Sequence, residues 1–434
     1  MQRPTLEYVN SLEKSQWFSR EDVIELQQQK LTTLLQIAFE HCPWHATRIH
    51  QAGIEMERAS PVTLEDLRRL PTMSKQDIQL DGDGMVWRGV QGGAYKYTTG
   101  GSSGNPLNFY FGKWRQASDA AGRIRARRWW GVDFGEKEVY LWGAPVELAK
   151  TDAIKQIRDR LMNQYLLNAF EMSPANMRQY LRFIQSTQPS CIYGYASSIA
   201  LLARFAVSEG FRFNLPRLKV VFTTGEPLYA DQKQIIAEIF NVPVANEFGS
   251  RDIGFTAHES PSGQMLLMSE SVILEILDQQ GNQVKAGETG EAVMTGLCSH
   301  AQPFIRYRTG DMVTASDESC ADGRGLHVLG EVLGRSTDFI VKSDGTIMHA
   351  LAVIYVLRAV HGVEAFKVIQ HSLYEIEVIV VPNSHWENTA KLDIVEQLQK
   401  RLGLIDIQIK LVDAIPAEKS GKHRYVVSHV GAPV

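Results

Sequence analysis

From Leu218 to Gly254 the chain reads LKVVFTTGEPLYADQKQIIAEIFNVPVANEFGSRDIG. LKVVFTT is an apolar run of strand length, GEPL breaks it, Asp231 to Phe240 has helical spacing, and VPVANEFGS opens another apolar strand. Alternation of strand, loop, helix and strand implies a mostly parallel, buried sheet with helices on its faces.

The same texture extends upstream. EVYLWG and CIYGYASS read as further buried strands, the second followed by a helix to Glu209, and a charged, aromatic helix from Trp114 to Trp130 precedes them. Nearer the N-terminus, SREDVIELQQQKLTTLLQIAFEH sets a capping serine before acidic first-turn residues, with Leu26, Leu31, Leu34, Leu35 and Ala38 at helical spacing. TLEDLRRL is a short helix between Pro61 and Pro71. Downstream, Ser269 to Thr295 has short strands and glycine turns, which suggest a small β-barrel or an antiparallel sheet. After Gly334 the chain changes again: strands are expected at Phe366–Ile369, Glu375–Val381 and Ile405–Val412, with a helix at Asn388–Leu402, the pattern of a compact α+β domain.

Composition sets the class. The 434 residues are 44% hydrophobic and 22% charged, enough for two or three domains with sizeable cores. A net charge of −4 gives no chain-wide attraction to nucleic acid or anionic lipid, so neither is an expected partner. The four cysteines are scattered without a C-x-x-C pair, which suits a reducing cytoplasm, and no run approaches a membrane span or a signal peptide.

TTGGSSGNP, Thr98 to Pro106, sits between Lys96-Tyr97 and Leu107–Phe111, so its glycines fall at a hairpin tip between two strands. Backbone N–H groups in such a turn converge on phosphate oxygens, and the Thr and Ser hydroxyls add donors. It matches neither a Walker A loop nor G-x-G-x-x-G, so alone it reads more readily as a plain flexible hairpin than as a phosphate loop. EFGSRDIG places an aromatic, an arginine and an aspartate after a buried strand, the usual ligand edge of an α/β sheet. RYRTGDM sets two cations and an acid beside a turn; GRSTDFI repeats the Arg/Asp theme; AEKSGKHRYV puts Lys422 on a Ser-Gly turn.

In this order the segments resemble the adenylate-forming superfamily of acyl-CoA synthetases, luciferases and peptide-synthetase adenylation domains, and within it the phenylacetate–CoA ligase group and its CapK-like branch. WFSREDVIELQQQKLTTLLQIAFEHCPWHATRI, IYGYASSIALLARF, VVFTTGEPL and QPFIRYRTGD carry the likeness across nearly the whole chain. The resemblance implies an α/β fold: an adenylation domain over residues 1–334, with parallel sheets, helices and a small barrel, then a mobile α+β domain over 335–434. It also implies ATP and Mg²⁺ as cofactors, a small carboxylic acid as substrate, and CoA as second substrate. A carrier-protein thiol, an amine or a hydroxyl are the alternative acceptors, and a homodimer is left open.

By the same resemblance, Thr99, Gly101, Ser102, Ser103 and Gly104 cradle the β- and γ-phosphates, although Asn105 replaces a common lysine. Thr224, Gly225 and Glu226 line the adenine or acyl pocket, and Phe248 stacks on adenine beside Gly249 and Ser250; locally Phe248 reads equally as a buried strand end. Asp252 stands where relatives carry a glutamate for Mg²⁺, with Arg251 as a phosphate or carboxylate partner. Asp311 accepts from the ribose hydroxyls, Arg335 contacts ribose or phosphate, and Lys422 bridges the substrate carboxylate and the α-phosphate. The hinge falls at Thr337 or Asp338. Tyr193, Gly194 and Tyr195, with Trp142 and Phe222 nearby, suggest an aromatic or small amphipathic acid. A zinc site of some relatives is not expected, since SCADGR keeps Cys320 but has Asp322 at the second position; Cys320 and His258 then read as ordinary packing or surface residues. Departures at Asn105 and Asp252 keep a catalytically inactive nucleotide-binding scaffold as a further alternative.

Overall fold

Two strands flank the glycine loop: β1 (Tyr95–Thr98) and β2 (Asn108–Phe111) pair antiparallel, with Thr98 opposite Asn108. The computed structural model describes residues 4–57, 60–98, 107–142, 162–169, 172–335, 339–342, 347–349, 351–416 and 425–430. The chain divides into two compact units, Met1–Thr309 with Val313–Val332, and Gly310–Met312 with Leu333–Val434.

In the first unit β3 (Glu138–Trp142), β4 (Gln164–Asn168), β5 (Cys191–Gly194), β6 (Val220–Thr224) and β7 (Val244–Ser250) are parallel, as the apolar runs predict. Beyond β7, β8 (Gly254–Glu259), β9 (Met265–Leu267) and β13 (Val328–Leu329) extend the sheet antiparallel, in the order β13-β9-β8-β7-β6-β5-β3-β4. One face packs Val139, Leu141, Ile192 and Val221 against helices Pro174–Thr187, Ala196–Ser208 and Ala230–Phe240. The opposite face presents Cys191, Tyr193, Val220, Phe222 and Ala245, on the side where helix Lys113–Trp129 makes its contacts with Tyr140, Tyr193 and Phe222.

Between β9 and β13 in sequence lie β10 (Val272–Leu277), β11 (Thr289–Gly296) and β12 (Tyr307–Thr314). Of the two forms expected after Ser269, the described residues show the antiparallel sheet: β10 runs against β11 from Val272 opposite Gly296 to Leu277 opposite Glu291. The long helix is Arg20–His41, closed at its start by a capping box between Ser19 and Asp22. Its buried stripe is Val23, Gln27, Leu31, Leu34, Leu35 and Ala38, so Leu26 is displaced from the predicted core. Gln27 enters the stripe because its Nε2 donates to the carbonyls of Ser269 (2.8 Å) and Val272 (3.2 Å), satisfying the buried amide.

The second unit holds β14 (Val332–Arg335) from Leu333 onward, β15 (Phe339–Val341), β16 (Ile347–His349) and a sheet of β17 (Val363–Ser372), β18 (Glu375–Pro382), β19 (Asp406–Leu411) and β20 (Val426–Ser428), ordered β19-β18-β17-β20. Helix Thr389–Leu402 crosses between the parallel strands β18 and β19, burying Ile394, Leu398 and Leu402. Helix Leu351–Ala359 was not foreseen. Gln370, fully buried on β17, imitates a strand partner: its Oε1 accepts from Val341 N (2.9 Å) and its Nε2 donates to Val341 O (2.6 Å). No described helix is long and apolar enough to cross a membrane.

Candidate functional site

Parallel strands expose their carboxyl ends on one edge, where loops meet ligands. There Leu141 is level with Gly194, Gly194 with Thr223, and Thr224 with Glu247. The predicted residues Tyr193, Gly194, Tyr195, Thr224, Gly225, Glu226, Phe248, Gly249, Ser250, Arg251 and Asp252 are therefore brought to one edge by three adjacent strands. A side chain at Gly194 would run into the Leu141 carbonyl, so only glycine fits beside β3.

Each residue then takes a specific place. Tyr195 is stacked on Trp142, with ring centroids 4.2 Å apart and planes 20° apart. Gly225, at φ +79°, lies flush on that stack: an added Cβ would sit 3.2 Å from the Tyr195 ring and 3.5 Å from Trp142. Glu226 accepts from the backbone N–H of Ser197 at 2.5 Å and so caps helix Ala196–Ser208 at its N-terminus, where carboxylates are favoured. Phe248 is buried among Met73, Ile78, Phe109, Ile253 and Ala257. Phe222 is fully buried beneath the edge with His258 5.2 Å away, so it belongs to the core and not to an acyl pocket.

Asp252 is gripped from two sides. Its Oδ2 accepts from the Tyr307 hydroxyl at 2.9 Å. Its backbone carbonyl, and that of Arg251, accept from the buried Arg115 guanidinium, the latter at 2.6 Å. Tyr307 is itself clamped. Met73 N donates to Arg306 O (2.9 Å) and Arg308 N donates to Met73 O (2.8 Å) on its two sides. The RYR cations anchor this strand: Arg306, at a left-handed φ of +53°, pairs through Nε and Nη2 with Glu275 at 2.9 Å each, and Arg308 pairs with Glu291.

The sequence reading passed over a ladder on helix Lys113–Trp129. Arg115, Asp119, Arg123 and Arg127 recur every four residues and share a face. Arg115 pairs with Asp119 (3.4 Å), and Asp119 accepts from Phe255 N (3.1 Å). Burial holds the Asp119 carboxyl above its usual range despite Arg115. Arg127 is buried against Glu138 and donates to Tyr140 (3.0 Å). Glu247 collects the Tyr193 hydroxyl (2.8 Å) and the Thr224 hydroxyl (3.2 Å), with Arg123 3.7 Å away. The four-residue spacing of charges was the available signal.

Other predicted residues fall elsewhere. Asp311 is a buried residue of β12 assigned to the second unit, and Arg335 closes β14. Thr99, Gly101, Ser102, Ser103, Gly104, Thr337, Asp338 and Lys422 lie outside the described residues. His258 is enclosed by Phe222, Trp129 and Phe255, and Cys320 by Leu266, Leu326 and Val328. Among the described residues no group of three or more His, Cys, Asp or Glu side chains could hold a metal ion. Mg²⁺ takes one or two carboxylates and fills its remaining positions with phosphate and water, so the ion expected at Asp252 would not require such a group.

Residues 340–429 match the CapK C-terminal domain family. The chain is 22% identical to protein CapK of Staphylococcus aureus over 414 residues, 94% of this chain and 90% of that one. It is 24% identical to phenylacetate-coenzyme A ligase of Thermus thermophilus over 344 residues, covering 74% and 72% of the two chains. Among solved structures it superposes on 2-hydroxyisobutyryl-CoA ligase in the postadenylation state, in complex with R3-HIB-AMP, with a TM-score of 0.74, 20% identity and 96% and 91% coverage.

Proposed function

We propose that this chain, a CapK homologue with the fold of the adenylate-forming acyl-CoA ligases, activates a carboxylic acid with ATP and passes the acyl group to CoA. One acid oxygen attacks the α-phosphorus, the bond to the β-phosphate oxygen breaks, and pyrophosphate leaves with an acyl-adenylate behind. A thiolate then attacks the acyl carbon and AMP departs. The observation that carries this reading is Asp252 at the carboxyl edge of β7, its carboxylate oriented by Tyr307 and its backbone by Arg115. A carboxylate held there suits an Mg²⁺ ion that neutralises the triphosphate.

The remaining roles follow the family pattern. The loop Thr99–Gly104 cradles phosphates, Phe248 and Thr224–Glu226 border the nucleotide, Asp311 and Arg335 hold the ribose and phosphate side, and Lys422 offsets charge on both reacting groups. Residues 335–434 act as a mobile domain turning at Thr337 or Asp338. CoA as acceptor is supported by the activities named for the two ligases above.

ATP–pyrophosphate exchange across a library of carboxylic acids tests the first step, and product mass with CoA present tests the second. Exchange with at least one acid and an acyl-CoA product are expected. ATP binding without exchange by any acid would replace this reading with a nucleotide-binding scaffold; exchange without a thioester would redirect the acceptor to an amine, a hydroxyl or a carrier protein.

A further inference from the structure

The charged ladder has one rung unlike the others. Arg115 is engaged by two carbonyls and Asp119, and Arg127 by Glu138 and Tyr140. Arg123 makes no hydrogen bond within the described residues. Its nearest acid, Glu247, is 3.7 Å from Nη2, beyond hydrogen-bond range, and the oxygen concerned already accepts from Tyr193 and Thr224. Its Nε is buried without a partner, yet 41% of the side chain is exposed. The guanidinium is held in place by the faces of Tyr193 (5.8 Å) and Phe255 (5.7 Å), so it is positioned without being satisfied.

That cation stands among the residues at the carboxyl edge: Tyr193 precedes Gly194 and Tyr195, Thr224 precedes Gly225, and Glu247 precedes Phe248. Resting on the adenylation reading above, we propose that Arg123 selects the acid by gripping a second oxygen acceptor on it, a carboxylate or a hydroxyl, apart from the carboxylate that reacts. A guanidinium has five N–H donors in a planar fork matched to such oxygens. An acid with a purely hydrocarbon tail would shut this cation away from water with nothing to accept from it, and sites built to hydrogen-bond discriminate strongly against analogues lacking the group. Trp142, Tyr195 and Gly225 would supply the apolar wall.

The experiment is ATP–pyrophosphate exchange with matched acids: succinate against butyrate, 3-hydroxybutyrate against butyrate, and 4-hydroxy- and 4-carboxyphenylacetate against phenylacetate. The wild-type enzyme should favour an acceptor-bearing member by about tenfold or more in kcat/KM. Whether the dicarboxylate or the hydroxy arm wins tells which acceptor it is. Arg123→Met should erase the preference by raising KM for that acid while leaving KM for ATP and exchange with the hydrocarbon acids in place, and Arg123→Lys should restore part of it. Exchange that favours the hydrocarbon members, or Arg123→Met and Arg123→Lys losses shared equally by every acid and by ATP, overturns the role of Arg123 and leaves adenylation standing. No exchange with any acid overturns both. Melting temperatures of the two variants separate misfolding from lost selection, and the wild-type ratios decide the matter if Arg123→Met does not fold.

Discussion

The Tyr307 hydroxyl donates to the Asp252 carboxylate across 2.9 Å, joining two segments 55 residues apart in the chain. Because the backbone on both sides of Tyr307 is bonded to Met73, the phenol cannot drift, and it restrains the carboxylate to one orientation. A hydrogen bond to a charged group contributes about 1.5–3 kcal/mol. Tyr307→Phe should therefore raise the Mg²⁺ concentration that supports half-maximal exchange by about tenfold, with a smaller change in kcat at saturating Mg²⁺. A magnesium titration of exchange rates checks this; an unchanged midpoint would remove Asp252 from the metal's side of the site.

That pairing also shows where sequence reading stops. Strands β5 to β7 were legible because buried parallel strands are written as apolar runs between breakers, and the edge residues followed from where those runs end. Nothing local reveals that Glu226 caps the helix after β5, because the bond joins residues 29 positions apart. Arg306 and Arg308 read as two cations beside a turn, and both are consumed by ion pairs, with Glu275 on β10 and Glu291 on β11. Phe222 reads as an edge aromatic, yet it is fully buried against His258 in the core. In each case the deciding partner is distant in sequence, and periodicity carries no information about it.

Gly225 tests the aromatic wall. Its φ of +79° disfavours any side chain, by about 1–2 kcal/mol, and an alanine methyl would press on the Tyr195 ring at 3.2 Å. Gly225→Ala should lower kcat/KM for the acid more than tenfold while shifting the melting temperature only a few degrees. Steady-state exchange kinetics with the acid and ATP varied separately provide the comparison, and equal losses for both substrates would argue that the wall serves folding alone.

A buried ion pair ties helix Lys113–Trp129 to the turn that follows β9. Arg125 and Glu270 are both essentially unexposed, with contacts of 2.5 and 3.2 Å, and Ser15 adds a hydrogen bond of 2.7 Å to the same carboxylate. Burial would raise the Glu270 carboxyl, but the Arg125 charge and the bonds from Arg125 and Ser15 outweigh it and leave the carboxyl below its ordinary value. Its stabilisation is thus complete above the ordinary glutamate range and lost as pH falls through the depressed value. Arg125→Met leaves the carboxylate buried and unpaired and should cost about 3–5 kcal/mol in urea unfolding. Adding Glu270→Leu should recover a substantial part; no recovery would mean the loss comes from packing.

Acid should weaken the first unit well before its carboxylates titrate, because three of its histidines are held neutral by burial. His45 is pushed down to about 3, with the Arg48 charge adding to burial, and His258 and His327 to about 4. His45 is in the Nε2–H form, donating to Pro303 O at 2.9 Å and accepting from Arg48 at 3.1 Å, so protonation would set two cations together. An unfolded histidine titrates near 6.5. Between that value and the depressed folded ones the unfolded chain binds more protons, so stability from these residues is complete above about pH 6.5 and falls as pH drops. Each contributes a slope of up to about 1.4 kcal/mol per pH unit, or about 4 for the three together. His258→Phe keeps a ring among Phe222, Trp129 and Phe255 and removes one titrating group, so the slope of unfolding free energy between pH 6 and 5 should fall by about 1.4 kcal/mol per unit. Urea unfolding at half-unit pH steps measures it, and an unaltered slope would place the proton uptake on other groups.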